Sequence, residues 1–159
     1  MCKRVEMQSV KQLIASQKVF QIAYYQRGYR WREQQITQLL DDLCGFVKTH
    51  KNPFYFMQAL VVVNEEENKW RVIDGQQRLT SIKLILQKIF PDSSDNNSNI
   101  KMEYERNLQQ QEVGALDAHF RDKTTEIIDN YLKNLSNEAK EKLGKSIKEC
   151  EFLLYTRLG

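Results

Sequence analysis

The sequence has few of the residues that build metal sites and disulfide frameworks. Its 159 residues include only three cysteines, Cys2, Cys44 and Cys150, and two histidines. Because no CxxC pair and no Cys/His cluster occurs, the sequence predicts no structural zinc site, and free thiols are typical of a reducing compartment. It also has no apolar run of about 18 residues and no apolar core near its N-terminus, which argues against a membrane span and a signal peptide. We therefore expect a cytoplasmic protein.

Common catalytic motifs are missing as well. The Walker motif GxxxxGK[ST] does not occur, and neither His50 nor His119 has a nucleophile beside it in the sequence, so we assign no catalytic histidine. Asp41 and Asp42 are adjacent on a predicted helix and point in different directions, which favours a solvated face over a metal pair. These absences argue against a Walker-type loop and against a Ser or Cys nucleophile.

What the sequence does contain is an uneven distribution of charge behind a net charge of +3. Residues 1–90 contain 14 Lys/Arg and 8 Asp/Glu, a balance of +6, whereas residues 91–159 contain 10 and 13, a balance of −3. A basic half is typical of a protein with an anionic partner such as a nucleotide or a nucleic acid. An ordinary solvated surface explains the same modest excess, so charge alone leaves both interpretations open.

The spacing of apolar residues predicts an α+β fold for the first 90 residues. Helical periods and runs of aromatic and β-branched residues distinguish the elements. The predicted elements are a helix at 9–16, an extended segment at 19–25, a helix at 33–48, a hairpin of strands at 54–63 and 70–74 around a charged turn at 64–69, and a helix at 78–90.

The residues after position 90 predict a loop and then mainly helix. PDSSDNNSNI, residues 91–100, is typical of a flexible loop, and the alternation around Met102 predicts an edge strand. Two apolar stripes at helical spacing predict two closing helices, the second of which includes Leu154. We therefore divide the chain into a core at 1–90, the loop, and an edge strand with a helical extension at 101–159. The extension has no convincing stop signal, which favours a longer protein.

The stretch VIDGQQRLTSIKLIL, residues 72–86, places polar residues where a strand meets a helix. The first turn of a helix has unpaired N–H groups and a partial positive charge, so it attracts anions. Gly75 permits a tight turn and a close approach of a phosphate, and Arg78 adds a planar set of donors that suits phosphate. Asp74 could hold a metal-bound water or accept a proton from one, and it is the only candidate for a metal ligand.

Three further side chains of this stretch are candidates for ligand contacts. Gln76 and Gln77 each carry a donor and an acceptor, which suits a sugar, a base edge or a water, and Thr80 is a secondary candidate for a hydroxyl contact. The alternative is an ordinary turn in which Asp74 caps the helix and pairs with Arg78. Strand–glycine–helix junctions are common, so these residues alone favour the ordinary turn.

The stretch YYQRGYRW, residues 24–31, concentrates aromatic rings and arginines. Arginine beside aromatic rings suits stacking on bases and contact with phosphates. The candidates for base stacking or nucleic-acid contact are Tyr25, Tyr29, Arg30 and Trp31, and the candidates for phosphate contact are Gln26 and Arg27. A loop whose rings fill the core while its arginines face solvent is an equal alternative. Two arginine-bearing junctions on one cleft, however, would need an anion to offset their repulsion.

The order of these motifs resembles one known family. YQRGYRW, an amphipathic helix with LLDDL, YFMQALVVV and VIDGQQRLTSIKLIL follow one another as in the N-terminal domain of GmrSD-type modification-dependent restriction endonucleases, domain of unknown function 262. The resemblance is specific over about residues 9–90 and only general beyond them. It implies a small ParB/sulfiredoxin-like mixed sheet with helices.

The resemblance also implies a function. The family is expected to bind and hydrolyse nucleotides in connection with DNA cleavage or DNA sensing in defence against phage, with an NTP and a divalent metal such as Mg²⁺ as cofactors. Its DGQQR signature falls on Asp74, Gly75, Gln76, Gln77 and Arg78, and its first motif falls on Tyr25, Gln26, Arg27, Tyr29 and Trp31. The nuclease domain that often follows in the family is expected as a C-terminal domain or a partner subunit. The alternative is a non-catalytic nucleotide- or DNA-binding switch that controls such a nuclease.

The sequence departs from the family pattern at three positions. Ala23 and Gly28 stand where members often have proline, which is a minor change of backbone stiffness. Gln58 stands where members often have a glycine in a strand, so its side chain either crowds the cleft or contributes to it.

Overall fold

The computed structural model describes residues 3–23, 28–49, 56–91, 98–104 and 111–158. These residues form an α+β protein with a mixed sheet, as the sequence predicts. Its elements, in chain order, are β1 (Lys3–Ser9), α1 (Val10–Ala15), β2 (Val19–Ile22), α2 (Glu33–Thr49), β3 (Phe56–Glu66), β4 (Lys69–Asp74), α3 (Gln76–Ile89), β5 (Met102–Tyr104), α4 (Gln111–Leu132), α5 (Asn137–Glu149) and β6 (Glu151–Leu158).

The six described strands form one sheet in the order β1-β6-β3-β4-β2-β5. β6 pairs antiparallel with β1 and parallel with β3, so it lies inside the sheet rather than beyond it. β3 and β4 form the predicted hairpin, and β2 pairs parallel with both β4 and β5. Because β2 and β4 are parallel neighbours, the segments that follow them leave the sheet at the same edge.

The hydrophobic core combines side chains of the central strands with side chains of the helices. Val62, Val72 and Leu154, from three neighbouring strands, are 0% exposed and belong to one hydrophobic core with the helices. On the edge strand β1, by contrast, Val5 and Met7 are 53% and 41% exposed. The core therefore lies between the helices and the buried face of the sheet.

Several helices and strands match the sequence predictions closely. The predicted helix at 9–16 is α1, with Ser9 as its N-cap: the Ser9 hydroxyl accepts from the Gln12 N–H at 3.1 Å, and the Gln12 side chain accepts from the Ser9 N–H at 2.9 Å. The predicted helix at 33–48 is α2, and the predicted edge strand is β5, which lies at one end of the sheet order. The ParB-like assignment of this sheet stays a prediction.

Three predicted boundaries were wrong. The second C-terminal helix does not include Leu154, because α5 ends at Glu149 and the chain continues as β6. Residues 3–9 form a strand that the sequence did not predict, and β3 extends to Glu66 into the predicted charged turn. The spacing Ile147–Cys150–Leu154 fits a helix, and only the pairing with β1 and β3 makes the last part a strand.

Some predictions lie partly or wholly outside the described residues. This group contains residues 24–25 of the predicted extended segment, His50, and residues 92–97 of the predicted flexible loop. The end of that loop is described, and there Ile100 is buried at 1% exposure. Whether 1–90 forms a folding unit by itself stays a prediction. Among the described helices, none has both the length and the apolar character of a membrane span.

Candidate functional site

The turn between β4 and α3 depends on Gly75. This residue has φ 97° and ψ 4°, in the left-handed region that only glycine adopts without strain. A Cβ added at this position would lie 2.9 Å from the Ala59 carbonyl oxygen and 3.1 Å from Leu60 Cδ1. The turn is therefore packed directly against the neighbouring strand β3, which fixes the position of the first residues of α3.

The first turn of α3 has no side-chain cap. Asp74 Oδ1 accepts from the Gly75 N–H at 2.9 Å, and the first helical bond runs from the Leu79 N–H to the Gly75 carbonyl at 3.1 Å. Asp74 thus folds back on the turn without reaching into the helix. Among the described residues, no acceptor meets the N–H groups of residues 76–78, and N–H groups at a helix N-terminus are suited to an anion.

Gln77 connects the turn to the segment at 28–30. Its Nε2 donates to the Gly28 carbonyl at 2.8 Å, and its Oε1 accepts from the Arg30 N–H at 2.8 Å. The side chain therefore pairs with the backbone of this segment as a neighbouring strand would, and it holds the described parts of the two sequence motifs together. A catalytic role of Gln77 stays a prediction. In the structure, both the Oε1 and the Nε2 atom of its amide bond to the backbone of this segment.

Replacing Gln77 with Glu is expected to lower the free energy of unfolding by about 1–3 kcal/mol, because the new carboxylate faces the Gly28 carbonyl without a donor. The matched control is Gln76→Glu, since no described residue bonds to the Gln76 side chain and a negative charge at a helix N-terminus is slightly stabilising. Urea denaturation of the three proteins measures the difference. Equal stabilities for the two variants would contradict the bridging role of Gln77.

Arg78 lies over the indole of Trp31 and does not pair with Asp74. Its Cζ is 5.6 Å from the centroid of the Trp31 ring, a cation–π arrangement. Its Nε is buried and has no hydrogen-bond partner among the described residues. The ordinary turn expected from the sequence, with Arg78 bound to Asp74, is therefore not what forms. The buried Arg78 donor lies next to the first turn of α3 and has no partner among the described residues.

Tyr29 lies in the core, so its ring is not placed to stack on a base as predicted. It is 2% exposed, and burial raises the pKa of its hydroxyl. This hydroxyl is 2.8 Å from Ser81 Oγ, and Thr124 of α4 lies near it. Because Ser81 donates its only proton to the Gln77 carbonyl at 2.9 Å, Tyr29 donates to Ser81. The hydroxyls of Tyr29 and Ser81 therefore join the 28–30 segment to α3.

The other candidate site residues differ from one another in burial and in their contacts. Thr80 is 3% exposed, and its hydroxyl is 3.2 Å from that of Tyr104, so it belongs to the core. Trp31 is half-buried, and Arg30 Cζ lies 5.3 Å from the Phe120 ring centroid in α4. Tyr25, Gln26 and Arg27 lie outside the described residues. Gln58 is exposed on β3.

Sequence reasoning missed the contribution of α4. The sequence predicts this helix only from an apolar stripe, and it indicates neither Phe120 nor Thr124 as a residue near the site. Both contact the 28–31 segment through Arg30 and Tyr29, respectively. No local signal in the sequence could have indicated this, because about 90 residues separate the partners and neither motif specifies where α4 packs.

The structure offers little chemistry of other kinds. Within the described ranges, no group of three or more His, Cys, Asp or Glu side chains could hold a metal ion. Burial raises the pKa of the Cys150 thiol to about 12, so it is not a thiolate near neutral pH. Asp74 is the acidic side chain of the turn at residues 74–78.

The fold is that of an α+β domain in which a glycine turn and the first turn of a helix lie beside an arginine. The sequence of residues 10–157 matches the family described as the N-terminal domain of GmrSD restriction endonucleases. Because the match covers most of the chain, this protein belongs to that family, which places it among domains of restriction and phage-defence proteins. A search of curated proteins found no match.

Proposed function

We propose that this domain binds a nucleoside triphosphate at the turn formed by residues 74–78 and hydrolyses it, as part of a restriction protein that acts in the cytoplasm. The observation that carries the proposal is the first turn of α3. It starts at a glycine without a side-chain cap, beside an arginine whose buried Nε has no hydrogen-bond partner among the described residues. The free thiols of Cys44 and Cys150 agree with a reducing compartment.

The phosphates lie against the backbone N–H groups of residues 76–78, where the helix dipole favours negative charge. Arg78 provides donors beside these groups, and its stacking on Trp31 limits the orientations of its guanidinium. Gln76, whose amide has no partner among the described residues, contacts the phosphates or the ribose. Gln77 is a positioning residue, because its amide holds the backbone of the 28–30 segment.

Asp74 orients the attacking water, and it is the residue that would hold a metal ion bound with the nucleotide. Its Oδ1 is fixed by the Gly75 N–H, which leaves Oδ2 for a water or a metal-bound water. A Mg²⁺ ion, when bound with the nucleotide, neutralises phosphate charge, and a single carboxylate is compatible with it because substrate phosphates complete such sites. The protein supplies position and electrostatic stabilisation to the phosphoryl transfer.

Turnover of the four NTPs with Mg²⁺ or Mn²⁺ tests this function. Asp74→Asn keeps the acceptor for the Gly75 N–H and removes the charge, so hydrolysis is expected to fall by about 100-fold with little change in nucleotide affinity. Asp42→Asn, at an exposed position of α2, is the control. Full turnover by Asp74→Asn would refute the role of this carboxylate.

A second candidate function is a nucleotide- or DNA-binding switch without efficient chemistry, which controls a nuclease domain or partner subunit. It is favoured by the presence of only one carboxylate in the described turn. In that case nucleotide binds but is not hydrolysed, by the domain or by the full-length protein, while DNA cleavage by the full-length protein depends on the bound nucleotide.

A further inference from the structure

A cavity of about 350 Å³ lies between the segment at 31–33 and helix α4. Its apolar walls are Trp31, Phe120 and Ile127. Ligand pockets of small molecules have volumes of roughly 300–1,000 Å³ and combine apolar walls with a few polar groups. The cavity is therefore large enough for a ring system, and its walls are suited to a flat, weakly polar surface.

The aromatic walls of the cavity are joined to the phosphate-binding turn. Arg78 Cζ lies 5.6 Å from the centroid of the Trp31 ring, and Arg78 belongs to the first turn of α3. Arg30 Cζ lies 5.3 Å from the centroid of the Phe120 ring, and the Arg30 N–H donates to the Gln77 side chain. Two arginines thus connect the cavity with the turn, so a ligand with an anionic end and a ring could extend from one to the other.

Polar groups at the cavity match the edge of a nucleobase. Arg32 and Lys123 provide donors, and the Glu33 carboxylate provides an acceptor. Nucleobases carry both acceptors and donors on their edges, so this mixed set suits them better than it suits a second phosphate, which Glu33 would repel. Stacking on aromatic side chains provides the remaining affinity for a base.

The wall formed by α4 is fixed relative to the turn. Thr124 lines the cavity and is 1% exposed, so it is packed inside the protein. It lies near the Tyr29 hydroxyl, which donates to Ser81 of α3. A wall that is held in this way does not have to be ordered when the ligand binds, which lowers the entropic cost of binding.

We infer that this cavity receives the base of the nucleotide whose phosphates lie at the turn of residues 74–78. The inference rests on the proposed function. The base stacks between or against Trp31 and Phe120 and meets Lys123 at its edge, while Arg78 contacts the phosphates. Binding of the base and binding of the phosphates are then separate contributions to affinity, made by different side chains.

Calorimetric titration with an NTP and with inorganic triphosphate, both with Mg²⁺, separates these contributions. Phe120→Ala is expected to weaken NTP binding by about tenfold and to leave triphosphate binding unchanged. Lys123→Ala is expected to act in the same direction with a smaller effect; its side chain is exposed, so this variant folds even where Phe120→Ala does not. Lys133→Ala, exposed just beyond the end of α4, is the matched control.

The outcomes distinguish this inference from the function on which it rests. If the wild type binds NTP no more tightly than triphosphate, or if neither cavity variant weakens NTP binding, the cavity is not a base site and the phosphate site stands. If both variants weaken binding of a single-stranded oligonucleotide but not of NTP, the cavity accepts DNA and the inference is overturned. If the wild type binds neither NTP nor triphosphate, the proposed function itself fails.

Discussion

Replacing Gly75 with alanine is expected to lower the free energy of unfolding by about 2–4 kcal/mol and to abolish binding at the turn. The backbone at φ 97° is strained for any residue with a Cβ, and the added atom would lie 2.9 Å from the Ala59 carbonyl oxygen. A carbonyl of an interior strand cannot move as the tip of a side chain can, so the turn has to shift. Since residues 76–78 follow directly, their N–H groups lose their alignment.

Gly45→Ala provides the matched control for this prediction. Gly45 lies within α2, and a Cβ there would meet no atom within 4 Å, so alanine is expected to stabilise the protein by about 0.5–1 kcal/mol. Urea denaturation and calorimetric titration with NTP compare the two variants. If Gly75→Ala retained wild-type stability and affinity, the geometry of the turn would be irrelevant to function.

Replacing Arg78 with alanine is expected to reduce affinity for NTP and for inorganic triphosphate by about 10- to 100-fold, because a charge-assisted contact with phosphate is lost. Stability is expected to change by less than about 1 kcal/mol. The variant loses the cation–π contact with Trp31, but it also removes a buried donor that has no partner in the described structure. Calorimetric titration and urea denaturation measure the two effects.

Two further arginine variants test whether the effect depends on the donors of Arg78 and on its position. Arg78→Lys keeps the charge but lacks the planar set of donors, so it is expected to recover only part of the affinity. Arg157→Ala, at an exposed position of β6, is expected to leave affinity unchanged. Wild-type triphosphate affinity in Arg78→Ala would show that the anion binds elsewhere.

The candidate site was predictable where the signal was local. The pattern of residues 72–78 predicts a strand, a tight turn and a helix, and the structure has β4, Gly75 and α3 there. The roles of individual side chains were less predictable. Tyr29 was a candidate for stacking and is buried, while Gln77, a candidate for ligand contact, holds the backbone of a segment almost 50 residues earlier in the chain.

Local patterns by themselves determined the α+β class, the amphipathic helix at 33–49, the β-hairpin and the polar turn at Gly75. In each case the cause is the period of apolar residues or the conformational freedom of one residue, both of which act over a few neighbours. Only the tertiary structure decided that residues 151–158 form an interior strand and that α4 closes a cavity beside Trp31. These features depend on pairing and packing between residues far apart in the chain, and a strand gains its hydrogen bonds only when its partners are in place.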